Sequence, residues 1–439
     1  MADFTTLLER TRDAIANLED QCIACGTCTT RCDLLESRAW NIRAICEETS
    51  DAIGGAHDVQ SAREGIDAHP SLYQFLRSCE SCNRCTVHCP QQLNMSDLWQ
   101  PWRALLRGAK YIPDSDVGMI KTDCTWNTFS VYRHVWNIDY SDLSLLEVPS
   151  IDETEGATVQ EAPARKAHAE TLFFPGCTLC TYAPELTRAA YAWLNEHVGP
   201  TLLSTQCCAW PLECAGEVDR AQTWRERVIA AAKDQGVRRI VGVCPGCDRQ
   251  LEIAAAAVAP GMEFVPLAQL LLDAGVRMGD ESLADCTLPL SVVTSCNDRA
   301  SIHGPAVRAL FEHANAKPFP CADEDAWCCG AGGAVNAYDP NLARSRTCRS
   351  FRLCEQAGAH TLVTVCPTCA YTYAFERWMQ AQEGNARWDG MGSLNYLEVA
   401  FDMRIDWPRV FANLTNMWQG EQGAWVAEQL SQSEPGNES

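Results

Sequence analysis

Long apolar runs are missing from this chain. Nowhere does it approach the roughly 18 consecutive apolar residues that a helical membrane span needs. Residues 1–21 (MADFTTLLERTRDAIANLEDQ) lack an apolar core and a small-residue cleavage site, and no twin-arginine signal is present, so export is not expected. Positive charge is also scarce: 35 Lys and Arg stand against 57 Asp and Glu, a formal net charge of −22. Nucleic acid and anionic lipid reward clustered Lys and Arg, so neither is an expected ligand. These absences favour a cytoplasmic protein, or one held on the inner face of the cell membrane through a partner protein. In that compartment thiols stay reduced.

Cysteine is what the chain has in abundance, 26 in 439 residues. A secreted disulfide scaffold would be short and would carry a leader, so the cysteines point instead to metal or catalysis. They are ordered. Cys22, Cys25, Cys28 and Cys32 spell C-x2-C-x2-C-x3-C, and Cys79, Cys82, Cys85 and Cys89 repeat it at a constant offset of 57 residues. Further on, Cys177, Cys207, Cys208, Cys244 and Cys247 are echoed by Cys296, Cys328, Cys329, Cys366 and Cys369, at offsets of 119 to 122.

The first pattern suits cubane [4Fe–4S] clusters. Its tight loop wraps three corners of a cube, and in two-cluster ferredoxins the fourth cysteine ligates the other cube. By that rule Cys22, Cys25, Cys28 and Cys89 hold one cube, and Cys79, Cys82, Cys85 and Cys32 the other. Pro90 follows the second motif, whereas Asp33 stands in its place after the first. Zinc also uses C-x2-C pairs, but a third cysteine at the same interval, twice over, favours iron. A zinc scaffold would be colourless where cubes are brown.

The second pattern contains vicinal cysteines, a crowded way to hold one zinc. Its later copy reads C296…C328-C329-G…C366-P-T-C369 and resembles the cysteine-rich CCG domain of the heterodisulfide reductase family. The earlier copy keeps all five cysteines but has Ala209 where the glycine belongs. The resemblance implies five cysteines per domain around a non-cubane [4Fe–4S] cluster, hence one or two such clusters besides the two cubanes. The order of parts resembles the fused, D-type catalytic polypeptide of membrane-associated heterodisulfide reductases. That implies an iron–sulfur oxidoreductase relaying electrons through the cubanes to disulfide or thiol chemistry, with a b-type cytochrome handling a quinol-type carrier as partner. Iron–sulfur subunits of flavin-dependent glycerol-3-phosphate, glycolate and lactate dehydrogenases share this order, as does one linked to sulfite reduction. In those the chain is a wire beside a flavoprotein or another partner.

The second set (Cys296, Cys328, Cys329, Cys366, Cys369) is the expected catalytic one. Gly330, Gly332 and Gly333 leave backbone space beside it, whereas Ala209-Trp210-Pro211 is bulkier and stiffer. These glycines lack the G-x-G-x-x-G spacing of a dinucleotide loop. Eight cysteines remain (46, 124, 180, 214, 286, 321, 348 and 354) and are expected to be structural, with Cys180 and Cys214 worth watching. His303 could donate a proton, but is expected to be a hydrogen-bonded surface residue.

The expected fold is multidomain, mixing α+β and α/β. A helical ferredoxin-type domain (1–110) has helices over 4–20, 39–48 and 71–77. An aromatic connector and acidic linker (111–168) follows, then two pseudo-repeated α/β CCG domains (169–285 and 286–425) and a disordered tail (426–439). Strands are expected at 171–174, 201–204, 239–243, 288–294 and 361–365, most of them ending just before a cysteine, where α/β sheets collect their ligands.

Overall fold

The computed structural model describes residues 3–150 and 167–432, so most of the acidic linker and the last seven residues lie outside the described residues. The first hundred residues are helical. The leading helix, Phe4–Gln21, starts where the Asp3 side chain accepts from the Thr6 amide. It buries Leu7, Leu8, Ile15 and Leu18, the stripe that its 3.6-residue period creates. That stripe packs on Ser96–Gly108, a helix that contains Pro101, and on Ile42–Ile53. Val59–Ala68 and Pro70–Ser78 close the bundle. The expected helix at 39–48 therefore begins later and runs further, because the Asn41 side chain caps it at the Ala44 amide.

Two parallel sheets follow. The first has the order β2-β1-β3-β4, with β1 Thr171–Phe174, β2 Thr201–Leu203, β3 Arg239–Gly242 and β4 Glu263–Pro266. The second has the order β5-β6-β7, with β5 Leu290–Val293, β6 Thr361–Thr364 and β7 Gly392–Asn395. All pairings are parallel, and β1, β2, β5 and β6 are buried throughout, as strands covered by helices on both faces must be. β1, β3 and β4 correspond to β5, β6 and β7. At the place of β2 the second sheet has only a single parallel bridge, Leu290 to Ala316.

The connector packs against both halves. Val131 and Tyr132 of helix Thr128–Val135 join Met417, Val426 and Leu430 of the final helices Trp407–Gln419 and Gly423–Gln432 in one apolar cluster. Residues 426–432, expected as tail, are therefore helix: Val426 and Leu430 lie one turn apart and bury against Tyr132. Among the described residues no helix is long and apolar enough to cross a membrane.

Candidate cluster-binding site

The two ferredoxin-type loops share a backbone as well as a spacing. Cys22 follows helix Phe4–Gln21 and Cys79 follows helix Pro70–Ser78. Beyond each, the chain turns through two left-handed residues, Ala24 (φ 54°) and Gly26 (φ 76°) in the first loop, Ser81 (φ 54°) and Asn83 (φ 56°) in the second. These positions are offset by the same 57 residues. Three of the four are not glycine, so the turn is held by its surroundings against the left-handed cost.

Cys28 lies within electrostatic reach of Cys22 and Cys25. Cys32 faces Cys79, and Cys85 faces Cys82, Cys32 and Cys79. The fourth cysteine of the first motif thus stands with the three of the second, as a crossed ligand set requires. Cys89 is half-buried one turn beyond Cys85 and packs against the same core. Burial, and then the neighbouring thiols, push Cys85 well above the usual thiol range. Cys25, by contrast, is exposed.

The CCG cysteines sit at strand ends. Cys177 begins the helix after β1, Cys207 and Cys208 follow β2, and Cys296 follows β5. Cys244 and Cys366 are the N-cap residues of Pro245–Val258 and Pro367–Gln382, which puts Cys247 and Cys369 in first turns opened by Pro245 and Pro367. Both vicinal pairs are tied from behind. Trp224 Nε1 and Arg225 Nε donate to the carbonyls of Cys207 and Cys208, at 3.1 and 2.8 Å, and Thr347 Oγ1 donates to that of Cys329 at 2.8 Å. The residue after each pair is left-handed, Ala209 (φ 56°) in one and Gly330 (φ 99°) in the other.

The ten sulfurs form one line of interacting thiols: Cys177, Cys207, Cys208, Cys247, Cys244, Cys366, Cys369, Cys329, Cys328, Cys296. The two copies meet where Cys244 Sγ and Cys366 Sγ lie 3.6 Å apart. Along the line Cys208 is drawn far below the usual thiol range by its contacts with Cys207 and Cys247, Cys329 by Cys328 and Cys369, and Cys366 by Cys244 and Cys369. Cys207 is pushed well up, first by Cys177, and Cys328 likewise, first by Cys296. So many adjoining buried thiols cannot all ionise without a cation among them. Glycine lets the backbone come close to the sulfurs: a Cβ added to Gly176 would stand 3.1 Å from Cys247 Sγ. Gly332 and Gly333, expected to leave open space beside the second set, are instead packed against Glu80 and Cys79. The donor set fits iron–sulfur clusters.

Nine of the ten cysteines, all but Cys207, line one part-open cavity of about 380 Å³, bordered also by Ile112, Met119, Ile120, Phe129, Trp210 and the buried Arg77 and Arg103; Cys207 lines a smaller neighbouring pocket with Cys177. The first set reaches this cavity as the second does, with Trp210 and Pro211 in its wall. The ferredoxin-type loops abut the second set. Glu80 interacts with Cys328 and Cys329, Cys82 faces Cys296, and the Gly332–Gly333 backbone leaves no room for a Cβ against Cys79 and Glu80.

His303 is not at the surface. It is 4% exposed, and its Nε2 pairs with Asp248 Oδ2 of the first copy at 2.8 Å, because its helix His303–Leu310 packs between the copies. Cys214 lines the shared cavity, and Cys180 is buried with Arg133 Nη1 at 3.7 Å. Cys46 and Cys354 are fully buried, and Cys124 is 4% exposed against Arg220. Cys286, Cys321 and Cys348 are partly buried.

Residues 21–94 match the 4Fe-4S dicluster domain, and residues 171–252 and 293–373 each match the cysteine-rich CCG domain. The chain is 21% identical over 360 residues to the B-type polypeptide of the fumarate reductase (CoM/CoB) of Methanothermobacter marburgensis, covering 79% of this chain and 66% of that relative. It is 23% and 24% identical to the D-type polypeptides of the dihydromethanophenazine:CoB–CoM heterodisulfide reductases of Methanosarcina acetivorans and Methanosarcina mazei, covering in each case 67% of this chain and 71% of the relative. The match thus falls just short of two thirds of the first relative's length. The chain is an iron–sulfur protein that joins a 4Fe-4S dicluster domain to tandem CCG domains, similar to the D-type polypeptide of heterodisulfide reductases.

Proposed function

We propose that this chain is the electron-transfer and catalytic subunit of a heterodisulfide reductase-like complex, and that the shared cavity is where a small disulfide is cleaved or formed. The observation that carries this reading is the convergence of four cysteines of the first set and all five of the second on one chamber. A wire has no use for a chamber.

Cys22, Cys25, Cys28 and Cys89 would hold one cubane cluster and Cys79, Cys82, Cys85 and Cys32 the other; each five-cysteine set would hold a non-cubane one. When bound, such clusters supply one-electron steps and an iron that can take a substrate sulfur. The chain contributes the rest. The cysteine sets are arranged in series from exposed Cys25, through Cys28 and Cys85, to Cys82 beside Cys296. The second set therefore stands next to the donors, in keeping with the catalytic role expected of it, and the first forms the opposite wall. Ile112, Ile120, Phe129 and Trp210 give the chamber an apolar side facing the sulfurs. Arg103, 1% exposed and donating to the carbonyls of Cys79 and Cys214, places positive charge where thiolates form. Reduction consumes two electrons and two protons per disulfide and yields two thiols; the reverse returns them.

The partner proposed is a b-type cytochrome of the membrane. A flavoprotein partner would make the chain a wire for a dehydrogenase. Electron paramagnetic resonance of the oxidised, fully loaded protein, with and without an alkyl thiol, tests the proposal. A thiol-induced signal that Cys329→Ala abolishes is expected. Absence of any such signal in loaded protein would overturn it, and co-purification of the native complex would then identify the flavoprotein.

A further inference from the structure

We propose that Trp327 is a positioning residue for electron transfer, fixing the second ferredoxin-type site against the second CCG site; this rests on the relay reading above. Trp327 immediately precedes Cys328. The Arg84 guanidinium carbon lies 3.7 Å from the centre of its ring and that of Arg349 lies 4.1 Å away. Both guanidinium groups stand within reach of the ring's π system and are drawn to it electrostatically.

The two cations come from opposite sides of the junction. Arg84 immediately precedes Cys85, its Nη1 donates to the carbonyl of Arg31 at 3.0 Å, and Arg31 precedes Cys32. Arg349 belongs to helix Pro340–Gln356 of the second CCG domain and pairs across the junction with Asp33, the residue after Cys32. One ring next to Cys328 is thereby gripped by a cation beside Cys85 and by a cation of its own repeat that is tied to the residue after Cys32. Asp325, two residues before Trp327, strengthens the grip: it accepts from Arg84 Nε at 3.2 Å, from Arg31 Nη1 at 3.2 Å and from His88 Nε2 at 2.6 Å. The same loop is anchored from its own side by Arg299, which donates to the carbonyls of Ala326 and Cys82, both at 2.8 Å.

The step at issue moves one electron from the Cys32–Cys79–Cys82–Cys85 site to the second CCG site, and an external one-electron donor replaces it. Its rate falls as the two sites move apart. A ring held by two cations, one from each side of the junction, holds that spacing better than apolar packing alone.

The test compares Trp327→Leu, Trp327→Phe and, as a control for core packing within the same domain, Trp388→Leu. Dithionite is the donor and no disulfide is added, so the result does not depend on what the chamber reduces. Freeze-quench paramagnetic resonance follows electrons from the cubanes to the CCG sites, and amide hydrogen exchange on the iron-free proteins follows residues 82–89 and 323–333. With iron content unchanged, Trp327→Leu is expected to slow transfer measurably and to speed exchange in both strips together. Trp327→Phe should recover most of both, and Trp388→Leu should leave both unaltered. Unchanged transfer in loaded Trp327→Leu, or equal slowing by Trp388→Leu, would overturn the proposal. Should the CCG sites prove empty, the reading of function fails, and the exchange data alone decide whether Trp327 couples the two strips.

Discussion

Cys244 and Cys366 stand 122 positions apart in the chain, yet their sulfurs lie 3.6 Å from one another. Each is the N-cap of the helix that follows corresponding strands, β3 in one repeat and β6 in the other. Their contact turns two separate five-cysteine sets into one continuous array, and it bears on how the sites fill.

Four filled sites mean about sixteen irons, with matching acid-labile sulfide. Anaerobic iron and sulfide analysis is expected to give that figure. Cys329→Ala should lower it to about twelve while both cubanes remain reducible by dithionite, since their eight cysteines are untouched. A wild-type value near eight would mean that the CCG domains hold something else.

Ala209 occupies a left-handed position (φ 56°) whose counterpart is Gly330. A side chain there costs roughly 1–2 kcal/mol relative to a conformation free of strain, and glycine removes most of it at some cost in unfolded-chain entropy. Ala209→Gly is therefore expected to raise stability by about 1 kcal/mol in urea unfolding, with iron content unaltered. A loss of stability would show that the methyl group packs well enough to outweigh the strain.

Arg107 and Glu217 form a buried pair between helix Ser96–Gly108 and the first CCG domain, with Nε to Oε1 at 2.9 Å and side chains 7% and 4% exposed. Asp114, the other partner of Arg107, lies mostly in solvent. Glu217→Ala leaves the guanidinium buried with less compensation. A loss of about 3 kcal/mol is expected, together with faster hydrogen exchange along 96–108.

Glu398 gives a pH dependence remote from every proposed ligand. Burial raises its carboxyl to about 7, against the amides of Ile405 and Asn395 and the charge of Arg404, which pull it down. The folded chain therefore holds this proton more tightly than the unfolded chain. Its stabilising effect is complete below the unfolded value near 4.5 and is lost as pH rises through about 7. Relative to Glu398→Gln, the wild type should lose at most about 1.4 kcal/mol per pH unit across that window. Parallel stability curves for the two proteins would contradict this.

How far the sequence announced all this depends on the kind of signal. The cysteine registers and the strands that run into them were legible, because an apolar run such as Leu172–Phe173–Phe174 must be buried on both faces. β7 was not: Gly392–Asn395 carries little apolar character and is a strand only because β6 pairs with it. β4 is four residues between Gly261 and the end of its own run at Pro266, too short to announce a period. Helix Ser96–Gly108 was masked by Pro101, whose carbonyl accepts from Thr11 Oγ1 at 3.2 Å. The matched left-handed turns at 24, 26, 81 and 83 were hidden because only one of the four is glycine. The chamber could not be read at all, since it exists only through the packing of one repeat on the other. His303 was misjudged for the same reason, its partner Asp248 lying in the other repeat.

The walls of the chamber are drawn from every part of the chain: Arg77 and Arg103 from the helical bundle, Ile120 and Phe129 from the connector, and cysteines from both repeats. The chamber is thus the joint product of all three. A fragment carrying either repeat alone would keep only its own side of the wall, whereas the leading bundle alone would keep its two cysteine loops without the thiols they abut. Genetic division of such a chain into separate polypeptides is workable only where the pieces find one another again at these surfaces, so here covalent continuity and the integrity of the chamber are two forms of one requirement.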